Sequence, residues 1–224
     1  AFIQISCNDI FLILNKNTLE AKVRAVHNWV TSNTRYVGIE VGIHGFKPYA
    51  LTEIVQRGYG DCKDKAALFV SMLQAVGIPA EFVLIRTRDR GTFAKSPPSL
   101  WIFNHAIAYV PGLRTYVDAT SELASLGEVP ALDQGATVLH FPLFVEEGGP
   151  YQVRQAPFTA PESNRLTSSA RIALNPKGHA QATFNEEFTG TMAASMRLLF
   201  QNKSQQKKIL SRLLASNYPG ALLL

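Results

Sequence analysis

The sequence predicts an α+β protein. A helix that begins at a cysteine packs on an antiparallel sheet, and a partial β-rich region follows. Three observations predict this. The stretch Gly58-Tyr59-Gly60-Asp61-Cys62-Lys63-Asp64-Lys65 halts what precedes it and opens an amphipathic run. Two strand-like segments, 101–110 and 115–120, flank the turn Pro111-Gly112-Leu113-Arg114. A second pair, 165–174 and 179–190, flanks Asn175-Pro176-Lys177-Gly178, a hairpin signature.

The elements follow in chain order. Residues 1–14 are rich in Phe, Ile and Leu, and their pattern fits a strand or an opening helix equally. Thr18 is a cap, and Leu19, Val23, Val26 and Val30 mark a helix over about 19–32. His27 on this helix reads as a surface or half-buried histidine. Residues 34–50 are irregular, with Gly38, Gly42, Gly45 and Pro48, long enough for a functional loop. Residues 51–55 fit one short helix.

The cysteine helix has apolar or small residues at Ala66, Phe69, Val70, Leu73 and Val76, and Cys62 joins that inward stripe at the first turn. Asp61 is a good N-cap, with Asp64 three residues on in a capping-box position. Gly77 and Pro79 stop the helix. Residues 80–87 form a strand, and 88–99 read as a polar loop. Residues 121–145 show no strong period. Residues 146–164, with Gly148-Gly149-Pro150, Pro157 and Pro161, read as a linker. A last helix spans 204–216, with Lys203, Lys207, Lys208 and Arg212 on a solvated face.

Composition narrows the function classes. The 224 residues, 46% hydrophobic, hold one large or two small domains. No apolar run approaches the roughly 20 residues that cross a bilayer. The start reads as a chain entered partway rather than a signal peptide, and the apolar end also suggests truncation. The net charge is +5, with +1 over residues 1–145 and +4 beyond. Neither value calls for a nucleic-acid partner. Two cysteines, Cys7 and Cys62, make neither a disulfide framework nor a zinc site. His44, in a Gly-rich loop, is placed to line a cleft, and His140 and His179 show no acidic partner at helpful spacing; no cofactor is implied, and without a metal-ligand cluster no metal is assigned.

Cys62 stands where a helix presents unpaired N–H groups and a partial positive charge, which favour thiolate over thiol. Lys63 and Lys65 add to this, and Asp61 and Asp64 oppose it. The plain alternative is a buried cysteine acting as a small hydrophobe. In the hairpin at 101–120, a two- or four-residue loop pairs residues whose numbers sum to an odd value. His105 and Asp118 then share a face, opposite or diagonal, within roughly 7–8 Å between backbones. A thiolate nucleophile, an imidazole that carries the proton and a carboxylate that fixes the imidazole make an acyl-transfer set.

Gly60-Asp61-Cys62 with Ala66, Leu68, Met72-Leu73 and Gly77-Ile78-Pro79-Ala80 resembles the nucleophile segment of the transglutaminase-like superfamily. Asn104-His105-Ala106 and Tyr116-Val117-Asp118-Ala119-Thr120 resemble its histidine and aspartate strands. The resemblance covers about residues 18–120 and implies a papain/transglutaminase-like core with a catalytic triad of Cys62, His105 and Asp118. The Gly-Asp-Cys-Lys-Asp-Lys form is similar to a bacterial branch whose members are cell-envelope proteins with flanking β domains. That implies a periplasmic or cell-envelope location and possible cell-envelope partners.

The vertebrate members place a tryptophan upstream of the cysteine to help hold the oxyanion. None stands between Trp29 and Cys62 here, so Tyr36 or the Cys62 N–H is the candidate. The division expected is a catalytic core at 1–145, a linker at 146–164 and a partial β-rich domain with a terminal helix at 165–224. The activity expected is peptidase, amidase or transglutaminase-type acyl transfer on a peptide or protein substrate. A catalytically inactive binding or assembly module is the alternative.

Overall fold

The computed structural model describes residues 13–91, 99–142 and 151–223. Cys7, the opening segment to residue 12 and the start of the expected linker lie outside them. The chain forms two compact units, residues 1–159 and 160–224.

In the first unit, helix α1 (Leu19–Asn33) starts at Thr18, whose hydroxyl accepts from the Ala21 amide at 3.1 Å. Its inward stripe is Val23, Val26, His27 and Val30. His27 is therefore core, packed edge-on against Phe69, rather than half exposed. A short strand β1 (Arg35–Tyr36) pairs in parallel with β2 (Tyr59–Gly60), and helix α2 (Leu51–Arg57) lies between them in sequence. Helix α3 (Cys62–Ala75) follows directly.

The Asp61–Asp64 capping box is formed in both directions, at 3.2 and 3.3 Å. At its far end Gly77 takes φ +75°, and the Ile78 amide reaches back to the Leu73 carbonyl at 2.9 Å. Leu68, Phe69, Met72 and Leu73 are fully buried along α3. Each contributes about 1.5–3 kcal/mol through burial alone, so this helix is fastened to the sheet by its apolar face.

The sheet has the order β5-β4-β3-β6-β7, with every neighbour antiparallel. Its strands are β3 (Glu81–Arg86), β4 (His105–Val110), β5 (Thr115–Val117), β6 (Thr137–Phe141) and β7 (Gln152–Gln155). Alternation sorts its two faces. Ala106 packs with Cys62 and Ala66 beneath α3, and Ala108, Val110 and Val117 join the main core. Val83, Ile85, Ile107, Tyr116 and Val138 form a separate cluster.

Several elements differ from the sequence reading. Residues 100–102 form a 3-10 turn, so the strand starts only at His105. The Ser99 hydroxyl caps that turn, and the Asn104 amide brackets Thr87 with bonds of 3.0 and 2.7 Å. β6 lies in the stretch that shows no period, because five residues are too few to set one. β7 lies inside the expected linker. Its four residues are all exposed and mostly polar, as suits an edge strand, and composition alone reads them as linker.

In the second unit, β8 (Leu166–Leu174) and β9 (Ala180–Phe188) form the expected hairpin. Two helices follow, α4 (Thr191–Phe200) and α5 (Lys203–Asn217). The sequence reading found only the second. Phe184 of β9 stacks on Tyr218 with ring centroids 5.3 Å apart.

Candidate active site

Antiparallel pairing places the site. β3 ends, β4 begins, β5 ends and β6 begins at one edge of the sheet. α3 ends just before β3 begins at the opposite edge, so its N-terminus returns to this one. Cys62, His105 and Asp118 thus converge although 56 residues of sequence separate the first from the last.

The loop between β4 and β5 spans Pro111–Arg114, with Arg114 in the left-handed region at φ 52°. Val110 pairs with Thr115, so Asp118 lies diagonal to His105. His105 Nε2 meets Asp118 Oδ2 at 3.2 Å. Cys62 also acts on His105, raising the affinity of the imidazole for its proton. Asp118 Oδ1 accepts from the Thr120 amide at 2.8 Å and the Thr120 hydroxyl at 2.7 Å. Its carboxylate is therefore held from two sides.

Burial alone lowers the basicity of His105. The hydrogen bonds to Asp118 and Cys62 and their negative charges outweigh it, and the imidazole is pushed up to about 11. Burial acts the other way on Asp118, yet His105 and Thr120 hold its carboxyl below the usual range. The imidazole is thus charged at neutral pH, between two groups that stabilise that charge.

Tyr36 is 43% exposed. Burial, then the charge of Cys62, raises its pKa, so the phenol stays a donor near the thiol. Its backbone amide is tied to Glu122. The Cys62 N–H belongs to the first turn of α3, where amides have no intrahelical acceptor.

Lys63 and Lys65 do not serve the thiol as the sequence reading expects. Lys63 pairs with Asp61, and Lys65 donates to the Thr34 carbonyl and to Glu122. His44 stacks on Tyr49 at 3.5 Å and contacts the Lys47 carbonyl. His140 does have an acidic partner, Glu81 at 2.6 Å, and its other nitrogen meets the Tyr116 hydroxyl at 2.9 Å. Strand pairing builds that contact across 59 residues, so sequence spacing hides it.

Asp133 was also missed. It lies in the turn before β6, and its carboxyl approaches the His105–Asp118 pair. These three form the group among the described residues whose spacing would suit a cation. His105 Nε2 and Asp118 Oδ2 already face each other, however, so no metal is assigned. Among the described residues no helix is long and apolar enough to cross a membrane.

The helix-on-sheet core and its edge are those of a transglutaminase-like fold. Residues 12–120 match the model of the transglutaminase-like superfamily. No curated protein matches the sequence. Among solved structures, a proposed protease from Parabacteroides distasonis is similar at 16% identity and a TM-score of 0.51. The match covers 75% of this chain and 32% of that one. A proposed cysteine protease from Cytophaga hutchinsonii matches at 18% identity and a TM-score of 0.36, covering 82% of this chain and 61% of that one. The chain thus spans about a third of the length of the first protein and about three fifths of the second.

Proposed function

We propose that the chain is a cysteine-dependent acyl-transfer enzyme acting on an amide or peptide bond. The observation that carries this is the position of His105, bonded through Nε2 to Asp118 and acted on electrostatically by Cys62. The Cys62 thiolate attacks the carbonyl carbon. The tetrahedral oxyanion takes donors from the Cys62 N–H and the Tyr36 phenol. The His105 imidazolium then gives its proton to the leaving nitrogen as the C–N bond breaks, which leaves a thioester. Water or an amine yields a proton to His105, attacks the thioester and expels the thiolate. Asp118 keeps the ring oriented throughout.

The substrate class is peptide or protein, acted on at the periplasm or cell envelope. The support is the Gly-Asp-Cys-Lys-Asp-Lys form of the nucleophile segment. The test is an electrophilic cysteine probe on folded wild type, Cys62→Ala and His105→Ala, followed by a peptide library with and without added amine. Labelling of the wild type alone supports the reading. Equal labelling in folded His105→Ala overturns it and returns the chain to a binding module.

A further inference from the structure

Asp133 takes no part in the steps above, yet it is built into the same edge. The residue is 2% exposed, and its Oδ2 has no hydrogen-bond partner among the described residues. One nitrogen of His105 and one oxygen each of Asp118 and Asp133 lie within 4.8 Å of one another.

The turn is held there. The Asp133 amide donates to Pro130 at 3.0 Å, the Arg88 amide donates to Leu132 at 2.9 Å, and the Arg88 guanidinium donates to Ala131. Two ionised carboxylates so placed repel each other and leave buried acceptors facing without a proton. The charges acting on Asp133 are those of Asp118, His105 and Asp89, and His105 is already committed to Asp118 and Cys62. A proton on one carboxyl turns the repulsion into a donor–acceptor pair.

We propose that Asp133 is a positioning residue of the triad: it holds a proton and donates it to the Asp118 carboxylate, so that a carboxyl–carboxylate pair orients His105. The inference rests on the reading of Cys62, His105 and Asp118 as an acyl-transfer triad. The proton belongs to Asp133 because His105 and Thr120 satisfy ionised Asp118. Burial and the Asp118 charge push Asp133 up to about 7. Above that pH a second negative charge faces the imidazolium. It then holds its proton more tightly and gives it up to the leaving nitrogen less readily.

The test has two arms. Carboxyl 13C NMR of aspartate-labelled wild type should show one aspartate titrating near pH 7, lost in Asp133→Asn. If every aspartate titrates below about pH 5, the pair is overturned, whether or not the protein turns over a substrate. That result also decides the matter if the variant does not fold. In the kinetic arm, wild-type kcat should fall as pH rises through about 7. Asp133→Asn keeps a neutral donor, so its kcat at pH 6 stays within about threefold of wild type and the fall disappears. Asp133→Ala loses the donor and about tenfold in kcat, with KM unchanged. An Asp133→Asn profile that still falls near pH 7 overturns the proposal.

Discussion

The ammonium of Lys65, with none of its side-chain surface exposed, meets the Glu122 carboxylate at 2.9 Å. The same oxygen of Glu122 accepts the Tyr36 amide. One carboxylate thus ties the cysteine helix to the loop before it and to the chain just after Asp118. Burial lowers the lysine's affinity for its proton, and Glu122 opposes that.

Glu122→Gln should therefore leave a buried cation without its counter-charge. A loss of about 3 kcal/mol is expected, since one partner remains buried while Glu122 is a third exposed. That corresponds to a fall of roughly 6–12 °C in Tm. Lys65→Met, which removes the charge and keeps the volume, should cost less. Calorimetry of both variants checks the order, and the reverse order would mean that the ion pair does not hold these segments.

Asp118→Asn should keep the fold and lose most activity. An amide can hold the ring in the wrong tautomer, and in a serine-protease triad the comparable change costs roughly 10⁴-fold in turnover. Circular dichroism confirms folding, and probe acylation reads the loss. A rate within tenfold of wild type would remove Asp118 from the triad.

Gly60→Ala should disturb Cys62 without touching it. An added Cβ would lie 2.7 Å from the Asp64 Cβ, an atom that moves only with its backbone. The capping box and the first turn of α3 must shift, at about 1–3 kcal/mol. Cys62 follows within two residues, so acylation should slow by about tenfold or more. Normal acylation in a destabilised variant would show that α3 absorbs the strain away from its first turn.

Stability should depend on pH through three groups with different signs. His105 is raised to about 11, so its contribution is complete below about 6.5 and is lost as pH rises through 11. Asp118 is lowered, so its contribution is present above about 3.9 and is lost as pH falls through its folded value. Asp133 is raised to about 7, so its contribution is complete below about 3.9 and is lost by pH 7. The Tm of Asp133→Asn relative to wild type should accordingly rise between pH 4 and pH 8. A difference that does not change with pH would mean that Asp133 is already ionised in folded protein at pH 4.

The second unit should lack cooperative stability by itself. β8 and β9 form a two-stranded ribbon in which all residues but Phe188 are exposed, and such ribbons are marginal in water. Residues 161–224 expressed alone should melt without a sharp transition. A cooperative transition would show that α4 and α5 supply a core.

What could be read in the sequence was local. The helix at Cys62 shows itself through Asp61, Gly77 and its apolar stripe, and the hairpin parity places His105 beside Asp118. β6 and β7 stay hidden because strands of five and four residues are too short to leave a period. Asp133 and the His140–Glu81 contact were hidden for another reason: strand pairing makes them neighbours across 15 to 59 residues. His27 was misread because a single polar residue on an apolar stripe does not reveal whether the stripe closes over it.

The order in which the edge is built has a consequence during synthesis. Cys62, His105 and Asp118 all precede residue 120, whereas the turn bearing Asp133 leads into β6, which ends at Phe141. A ribosome adding about 5–20 residues per second needs roughly 1–4 s to cover that interval. An emerging chain therefore presents Cys62 and His105 before Asp133 is in place. Probe labelling of nascent chains stalled with residue 125 or residue 160 at the mouth of the exit tunnel should show a different pH dependence at the two lengths.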